Sequence, residues 1–174
     1  MPAVSIRPAT QADIPAITRI YDHAVSHGTA SFELEAPDEA EMSRRMQTLA
    51  DGGFPYIAAT IDGVLVGYAY AGPYRPRRAY RFSVEDSIYV DPAAQRKGVG
   101  RALLSELIEE SERKGFRQMI AVIGDSAQTP SIEVHRALGF RMIGAIENVG
   151  FKFDRWLDTV LMQRPLGRGA TTKP

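Results

Sequence analysis

Across residues 88–108 the chain changes its hydrophobic period, and it does so through a turn crowded with glycine and positive charge. Ile88-Tyr89-Val90 ends a β-type apolar run, and Gln95-Arg96-Lys97-Gly98-Val99-Gly100 forms the hinge. Beyond it Leu103, Leu104, Leu107 and Ile108 recur at the spacing of one helix face. A strand that enters a helix through such a turn leaves the helix's free amide donors, and the positive end of its dipole, at the hinge. Gly98 and Gly100 let the backbone approach a ligand with no Cβ in the way, while Arg96, Lys97 and Arg101 surround it with cations. This is the chemistry of a phosphate or pyrophosphate cradle. The residue order discriminates among cradles. A Walker loop needs Gly, four residues, then Gly-Lys and Ser or Thr, and the chain has no such run. A dinucleotide turn needs a third glycine, where this chain has Leu103. For a bare GxG, the competing assignment is a solvated helix cap with flanking charges.

The rest of the chain reads as one domain of alternating elements. Residues 4–7 alternate like a strand, and Thr10 to Asp13 carries a capping-box pattern before Ile14, Ile17, Tyr21 and Val25, so a helix is expected over 11–25 and ends at Gly28. Pro37-Asp38 opens a second helix on Met42, Met46 and Leu49, closed by Asp51-Gly52-Gly53. Strands are expected at 56–60 and 64–71 around Ile61-Asp62-Gly63, followed by an irregular basic loop at 72–78 and a strand at 82–90. A third helix covers 100–114, a strand 118–123, a short helix 131–138, and a last strand pair 141–146 and 153–163. Residues 167–174 are polar, contain Gly and Pro, and are expected to be disordered beyond a single domain over 1–166.

Composition excludes several function classes. With 174 residues, 44% apolar and 24% charged, the chain suits a soluble globular domain. Its formal net charge of zero provides no global field towards nucleic acid or an anionic membrane. Without cysteine there is no disulfide, no thiolate metal site and no cysteine nucleophile. No apolar run approaches the roughly 20 residues needed to span a bilayer, and MPAVSIRPAT lacks the pattern of a secretory signal. A cytoplasmic enzyme is the expectation.

Taken with the strand before it and the helix after it, the hinge resembles the coenzyme A motif of the GNAT superfamily of acyl-CoA-dependent N-acetyltransferases: Gln or Arg, two residues, Gly, one residue, Gly or Ala. The resemblance implies an α/β (α+β) fold, with a mixed, mostly antiparallel twisted sheet flanked by helices and a splayed slot for acetyl-CoA. It implies that the anion is the pyrophosphate of coenzyme A, held by Arg96, Lys97, Gly98, Val99, Gly100 and Arg101. The pantetheine arm would pair with the backbone of Ile88, Tyr89 and Val90, beside a β-bulge that splays two strands.

Three further segments narrow the resemblance: 74–90, 123–140 and 149–158, with Ile20-Tyr21-Asp22-His23-Ala24-Val25 agreeing. They are similar to the phosphinothricin N-acetyltransferases and their methionine sulfoximine acetyltransferase relatives, over nearly the whole chain up to Gln163. By that likeness the substrate is a small amino acid with a tetrahedral head group, the co-substrate is acetyl-CoA, no metal is needed, and the enzyme is a homodimer.

Glu85 stands on an apolar strand near the expected slot. A carboxylate there can take the proton that an ammonium must lose, and partial burial would raise its pKa. A pairing with Arg75, Arg77 or Arg81 is the structural alternative. His135, on the short helix, matches a histidine implicated in catalysis in the family; a structural role is equally open. Gln128, Ser131 and Arg136 are expected at pantetheine or phosphate, with Gln128 standing where relatives often carry Asn. Arg75 and Arg77 suit a carboxylate or phosphinate, which guanidinium forks bind bidentately. Pro76, Tyr80, Asp86 and Ser87 complete that side, and Thr29, Phe32 and Glu33 line the other by analogy. Asp154 replaces a family glycine in Lys152-Phe153-Asp154-Arg155-Trp156.

His23 and His27, at i and i+4, share a helix face as metal ligands can, though with no third ligand in register. Within the superfamily, a polyamine, aminoglycoside or protein N-terminus is the rival acceptor. A non-catalytic acetyl-CoA sensor is the rival from another class.

Overall fold

The computed structural model describes residues 3–174. Strand β1 (Ser5–Pro8) leads through a 3-10 turn at Gln11–Asp13 into α1 (Ile14–His27), and α2 (Glu39–Asp51) follows. Strands β2 (Tyr56–Ile61), β3 (Val64–Pro73) and β4 (Ser83–Val90) form a meander. Then come α3 (Val99–Arg113), β5 (Gln118–Gly124), α4 (Thr129–Ala137), β6 (Arg141–Lys152) and β7 (Arg155–Pro165). The described strands make one seven-stranded sheet in the order β1-β2-β3-β4-β5-β7-β6. Every neighbouring pair is antiparallel except β4–β5, which is parallel.

Helices cover both faces because each carries one apolar stripe. On one face Val99, Leu103, Leu104 and Leu107 of α3 are essentially inaccessible to solvent and pack with Ala59, Ala69, Val84, Met119 and Met162 of the sheet. On the other, Ile14, Ile17, Ile20 and Val25 of α1 and Met42 and Met46 of α2 close over Ala58, Leu65 and Tyr68. Each fully buried Leu or Ile side chain is worth about 1.5–3 kcal/mol relative to leaving it in water.

The entry to α1 forms the capping box expected of Thr10 and Asp13. The Asp13 carboxylate accepts from the Thr10 N–H at 2.7 Å, and the Thr10 hydroxyl turns to the same carboxylate at 3.1 Å. Arg7 forks onto Asp13 at 2.8 and 2.7 Å, which ties β1 to the start of the helix. Gly28 ends α1 as expected, in an extended conformation and two residues later than the apolar pattern indicated.

Several boundaries move. The β2–β3 turn is the two residues Asp62 and Gly63, both at positive φ (51° and 78°), so Ile61 belongs to the strand. Strand β6 runs on to Lys152 rather than stopping at 146, and Phe153 and Asp154 (φ 52° and 56°) form its tight turn into β7. Asp154 thus occupies a left-handed position that a glycine would take without cost. Residues 167–174, expected to be disordered, fold back instead. Arg117 donates to the Gly169 carbonyl at 3.1 Å, to the Thr172 hydroxyl at 3.1 Å and to the Lys173 carbonyl at 3.1 Å. No helix among the described residues is long and apolar enough to cross a membrane.

Candidate active site

The functional geometry begins where two parallel strands part. β4 and β5 pair at Ser83–Gln118, Val84–Met119 and Glu85–Ile120, and there the pairing ends. From that fork β4 continues along β3 to Val90, and β5 continues along β7 to Gly124. The expected bulge does not produce the splay: β4 keeps an unbroken register with β3 from Val84 to Val90. Instead the two arms follow different neighbours, and the right-handed twist of the sheet carries them apart. The arm of β4 beyond Glu85 therefore presents backbone donors and acceptors to the gap, which an extended amide chain can take up as an added strand.

A cleft of about 490 Å³ fills the fork. Glu85, Asp86, Ser87, Ile88 and Tyr89 line one arm, Val122, Ile123 and Gly124 the other. Gln128, Ser131 and His135 approach from α4 and the loop before it, and residues 30–33, with Tyr21 and Tyr70, close the remaining side. Strand alternation sorts the β4 side chains. Ile88 and Val90 pack on the α3 face, whereas Tyr89 packs on the α1–α2 face, the side that Glu85 and Ser87 share by register.

Glu85 is partly buried, and that burial, helped by the neighbouring Asp86 charge and opposed by Arg75, pushes its pKa up to about 7. It makes no ion pair with Arg75, Arg77 or Arg81 among the described contacts. His135 is only 4% exposed. Its Nδ1 lies 2.7 Å from the Ser131 carbonyl and its Nε2 3.3 Å from Asp86 Oδ1, so acceptors face both ring nitrogens. Burial disfavours the imidazolium, but the hydrogen bond and charge of Asp86, with the Ser131 carbonyl, outweigh it and hold the pKa above the ordinary histidine range. Asp86, expected at the substrate, is thus engaged by His135, and its Oδ2 is buried without a protein partner.

At the far end of β4 the hinge has the shape that an anion requires. Arg96 and Gly98 are at φ 60° and 83°, so the backbone alternates in handedness into the first turn of α3, as in an anion-binding nest. The helical ladder starts with Ala102 donating to Gly98. A Cβ at Gly98 would meet nothing within 4 Å, and one at Gly100 only Val90 Cγ2 at 3.8 Å. Arg96, Lys97 and Arg101 are exposed around this turn, while Val99 is buried and anchors the helix. These residues fit a pyrophosphate.

Other expected residues are distributed unevenly. Thr29 is buried and donates to Asp125 Oδ2 at 2.8 Å. Gln128 lines the cleft and donates to the Thr29 hydroxyl at 3.2 Å, so its amide is partly committed to that loop. Phe32, Ser87 and Ser131 line the cleft. Arg75, Pro76, Arg77 and Tyr80 lie on an exposed loop outside its walls; Arg75 stacks over Tyr74 at 5.2 Å and Tyr80 packs edge-on against Tyr74 at 5.8 Å. Arg136 is exposed and pairs with Glu133 on its own helix, away from the cleft walls. His23 and His27 stack with ring centroids 4.5 Å apart. Among the described residues no group of three or more ligating side chains converges.

Sequence reasoning did not single out Tyr21 or Tyr70 as cleft residues, and it named Tyr89 for its backbone alone. Tyr68 and Tyr70 alternate on β3 opposite Tyr89 and Ser87 of β4, and that period of two was a readable signal of an aromatic wall. The Tyr21 hydroxyl bridges Ser31 Oγ and Glu33 Oε1, each at 2.9 Å, a long-range contact with no local signature.

Comparison with known proteins agrees with this geometry. Residues 17–140 match the profile of the Acetyltransferase (GNAT) family. The chain is 54% identical over 172 residues to a phosphinothricin N-acetyltransferase of Alcaligenes faecalis, covering 99% of this chain and 87% of that one. It is 41% identical over 167 residues to an L-methionine sulfoximine/L-methionine sulfone acetyltransferase of Salmonella typhimurium, covering 96% and 97%. The crystal structure of a GNAT superfamily phosphinothricin acetyltransferase from Sinorhizobium meliloti in complex with AcCoA superimposes with a TM-score of 0.96 at 52% identity, over 98% of this chain and 92% of that one.

Proposed function

The chain belongs to the acetyltransferase (GNAT) family, and from that premise we propose that it acetylates the α-amino group of a small amino acid with a tetrahedral head group, of the phosphinothricin, methionine sulfoximine or methionine sulfone type. Acetyl-CoA is the co-substrate and supplies an acyl group activated as a thioester. The observation that carries the reading is the end of β4–β5 pairing at Glu85 and Ile120, which sets a carboxylate of pKa about 7 at the point of the fork.

The cradle at Arg96, Lys97, Gly98, Val99, Gly100 and Arg101 takes the pyrophosphate, and the free backbone of Ile88, Tyr89 and Val90 pairs with the pantetheine arm. Gln128 and Ser131 border the same channel. Glu85 accepts a proton from the acceptor's ammonium, directly or through water, leaving a neutral amine whose lone pair forms the new C–N bond as the C–S bond breaks. Backbone amides of β4 that face the gap polarise the carbonyl oxygen on which negative charge develops. The departing thiolate regains a proton from water or from His135. Phe32 and Glu33 border the acceptor, and Arg75, whose charge already reaches Glu85, pairs with the acceptor's anionic head when the loop closes. The chain works in the cytoplasm, where acetyl-CoA is available. It pairs with a second copy through the outer face of β6 and β7, where Met142, Ile146, Val149, Phe151 and Trp156 are each 45–62% exposed.

The test is release of CoA thiol from acetyl-CoA against a panel of phosphinothricin, methionine sulfoximine, methionine sulfone, ordinary amino acids, a polyamine and an aminoglycoside. Turnover of the tetrahedral-headed amino acids, lost in Glu85→Gln, is the expected result. Turnover of cationic amines alone would overturn the acceptor assignment.

A further inference from the structure

Phe32 sits in a slot that two glycines leave open. A Cβ at Gly150 of β6 would fall 2.4 Å from Cε2 and 2.7 Å from Cδ2 of the Phe32 ring. One at Gly124 of β5 would fall 2.8 Å from Cε1 of the same ring and 2.5 Å from the Thr29 carbonyl oxygen. Neither glycine has a positive φ, so backbone conformation does not call for them. They make room for a ring.

The segment that carries the ring is held from four elements. Thr29 donates to Asp125 beyond β5 at 2.8 Å. Lys152 of β6, only 4% exposed, donates from Nζ to the Ser31 carbonyl at 2.8 Å. Tyr21 of α1 bonds Ser31 and Glu33 at 2.9 Å, and Arg45 of α2 pairs with Glu33 at 2.6 Å. Phe32 meanwhile lines the cleft, with 37% of its surface exposed. One side of the ring rests on the glycines and the rest of it forms a wall that faces the cleft shared with Glu85.

We propose that Gly150 and Lys152 are positioning residues for the acceptor amine: although neither lines the cleft, they seat Phe32 and Ser31 and so fix the wall opposite Glu85. The proposal rests on the acceptor reading given above. Its physical basis is that a methyl at residue 150 must push the ring away by roughly 1 Å, a displacement that can cost a reacting pair up to about a hundredfold in rate. Gly150 and Lys152 lie on the β6–β7 hairpin and belong to no part of the pyrophosphate cradle, which supplies the charged contacts to acetyl-CoA.

The experiment compares wild type, Gly150→Ala, Lys152→Met, Phe32→Ala and the double variant Gly150→Ala/Phe32→Ala, using the best acceptor from the panel. Gly150→Ala is expected to lower kcat/KM for the acceptor ten- to a hundredfold, mainly through kcat, with the acetyl-CoA Kd within twofold of wild type; Lys152→Met falls in the same direction. On the Phe32→Ala background the Gly150 substitution should have no further effect, because the ring it displaces is gone. Amide hydrogen exchange is read in parallel: residues 29–33 should exchange faster in Gly150→Ala while α3 is unchanged. An acceptor kcat/KM within twofold of wild type, an equal loss on the Phe32→Ala background, or a matching loss of acetyl-CoA affinity would each overturn the proposal. If wild type acetylates nothing in the panel, the acceptor reading has failed, and the exchange comparison alone decides whether Gly150 seats the segment.

Discussion

Asp86 and His135 meet inside the protein, Oδ1 to Nε2 at 3.3 Å, with each side chain about 5% exposed. Because β4 alternates, Asp86 faces α4 while its neighbour Glu85 faces the other side of the sheet. Two adjacent carboxylates thereby serve different partners, and each has a separable consequence.

The Asp86–His135 pair should show as a pH-dependent stability. The folded-state pKa of His135 is raised above its unfolded value of about 6.5. Its contribution is therefore fully present below that value and is lost as pH rises through the folded pKa. Asp86→Asn should cost about 3 kcal/mol at pH 6, as breaking a buried pair does, and less at pH 9. Thermal unfolding of wild type and variant across that range measures it; a cost independent of pH would mean that the imidazolium is not what Asp86 supports.

Glu85 should set the acidic limb of the rate profile. A base must be deprotonated, so kcat/KM is expected to fall as pH drops below about 7. Glu85→Gln should lose about 10²–10⁴ in rate and the limb with it. The same raised pKa penalises the folded state as pH rises from 4.5 through about 7. Glu85→Gln should therefore be more stable than wild type at pH 8, by on the order of 2 kcal/mol, with the gain shrinking at lower pH. Rate profiles and urea unfolding of the two proteins test both halves.

Arg75 lowers the pKa of Glu85 from an exposed loop. Arg75→Gln should move the acidic limb of the profile to higher pH and raise the acceptor KM. Arg77→Gln, with no charge effect on Glu85, should leave the limb in place. An unshifted limb in Arg75→Gln would place the loop too far away to matter.

The two glycines of the cradle should differ. Gly98 is at φ 83°, where an added Cβ costs about 1–2 kcal/mol and pulls the nest out of shape. Gly98→Ala should lower both the melting temperature and acetyl-CoA affinity. Gly100 has an ordinary backbone and open space, so Gly100→Ala should leave stability within about 0.5 kcal/mol. Isothermal titration with acetyl-CoA and a thermal scan separate the two.

At the opposite end of the sheet, Asp13 is held near pKa 2, chiefly by the Arg7 fork and then, against burial, by Thr10. A depressed carboxylate contributes stability above its unfolded pKa of about 3.8 and loses it as pH falls towards 2. Asp13→Asn should cost about 1–2 kcal/mol at pH 7, and its acid unfolding curve should converge on that of wild type at low pH.

What the sequence determined by itself is what local physics dictates. The apolar stripes of α1, α2 and α3, the Asp62-Gly63 turn and the left-handed Gly98 before α3 follow from period, capping and φ preference, and each stands within a few residues of its expected place. The glycine-rich hinge before α3 and the place of Glu85 on β4 were readable for the same reason, since a motif and its strand are contiguous. Strand β6 was cut short because nearly all its side chains face solvent, so it lacks the alternation that burial on one face imposes. The engagement of Asp86 by His135, the seating of Phe32 on Gly124 and Gly150, and the docking of the C-terminal residues by Arg117 join positions 49, 92, 118 and 52 apart. No window of sequence holds such pairs together. The twist of the sheet, the parting of β4 from β5 and the packing of α4 bring them into contact, so only the tertiary structure decided them.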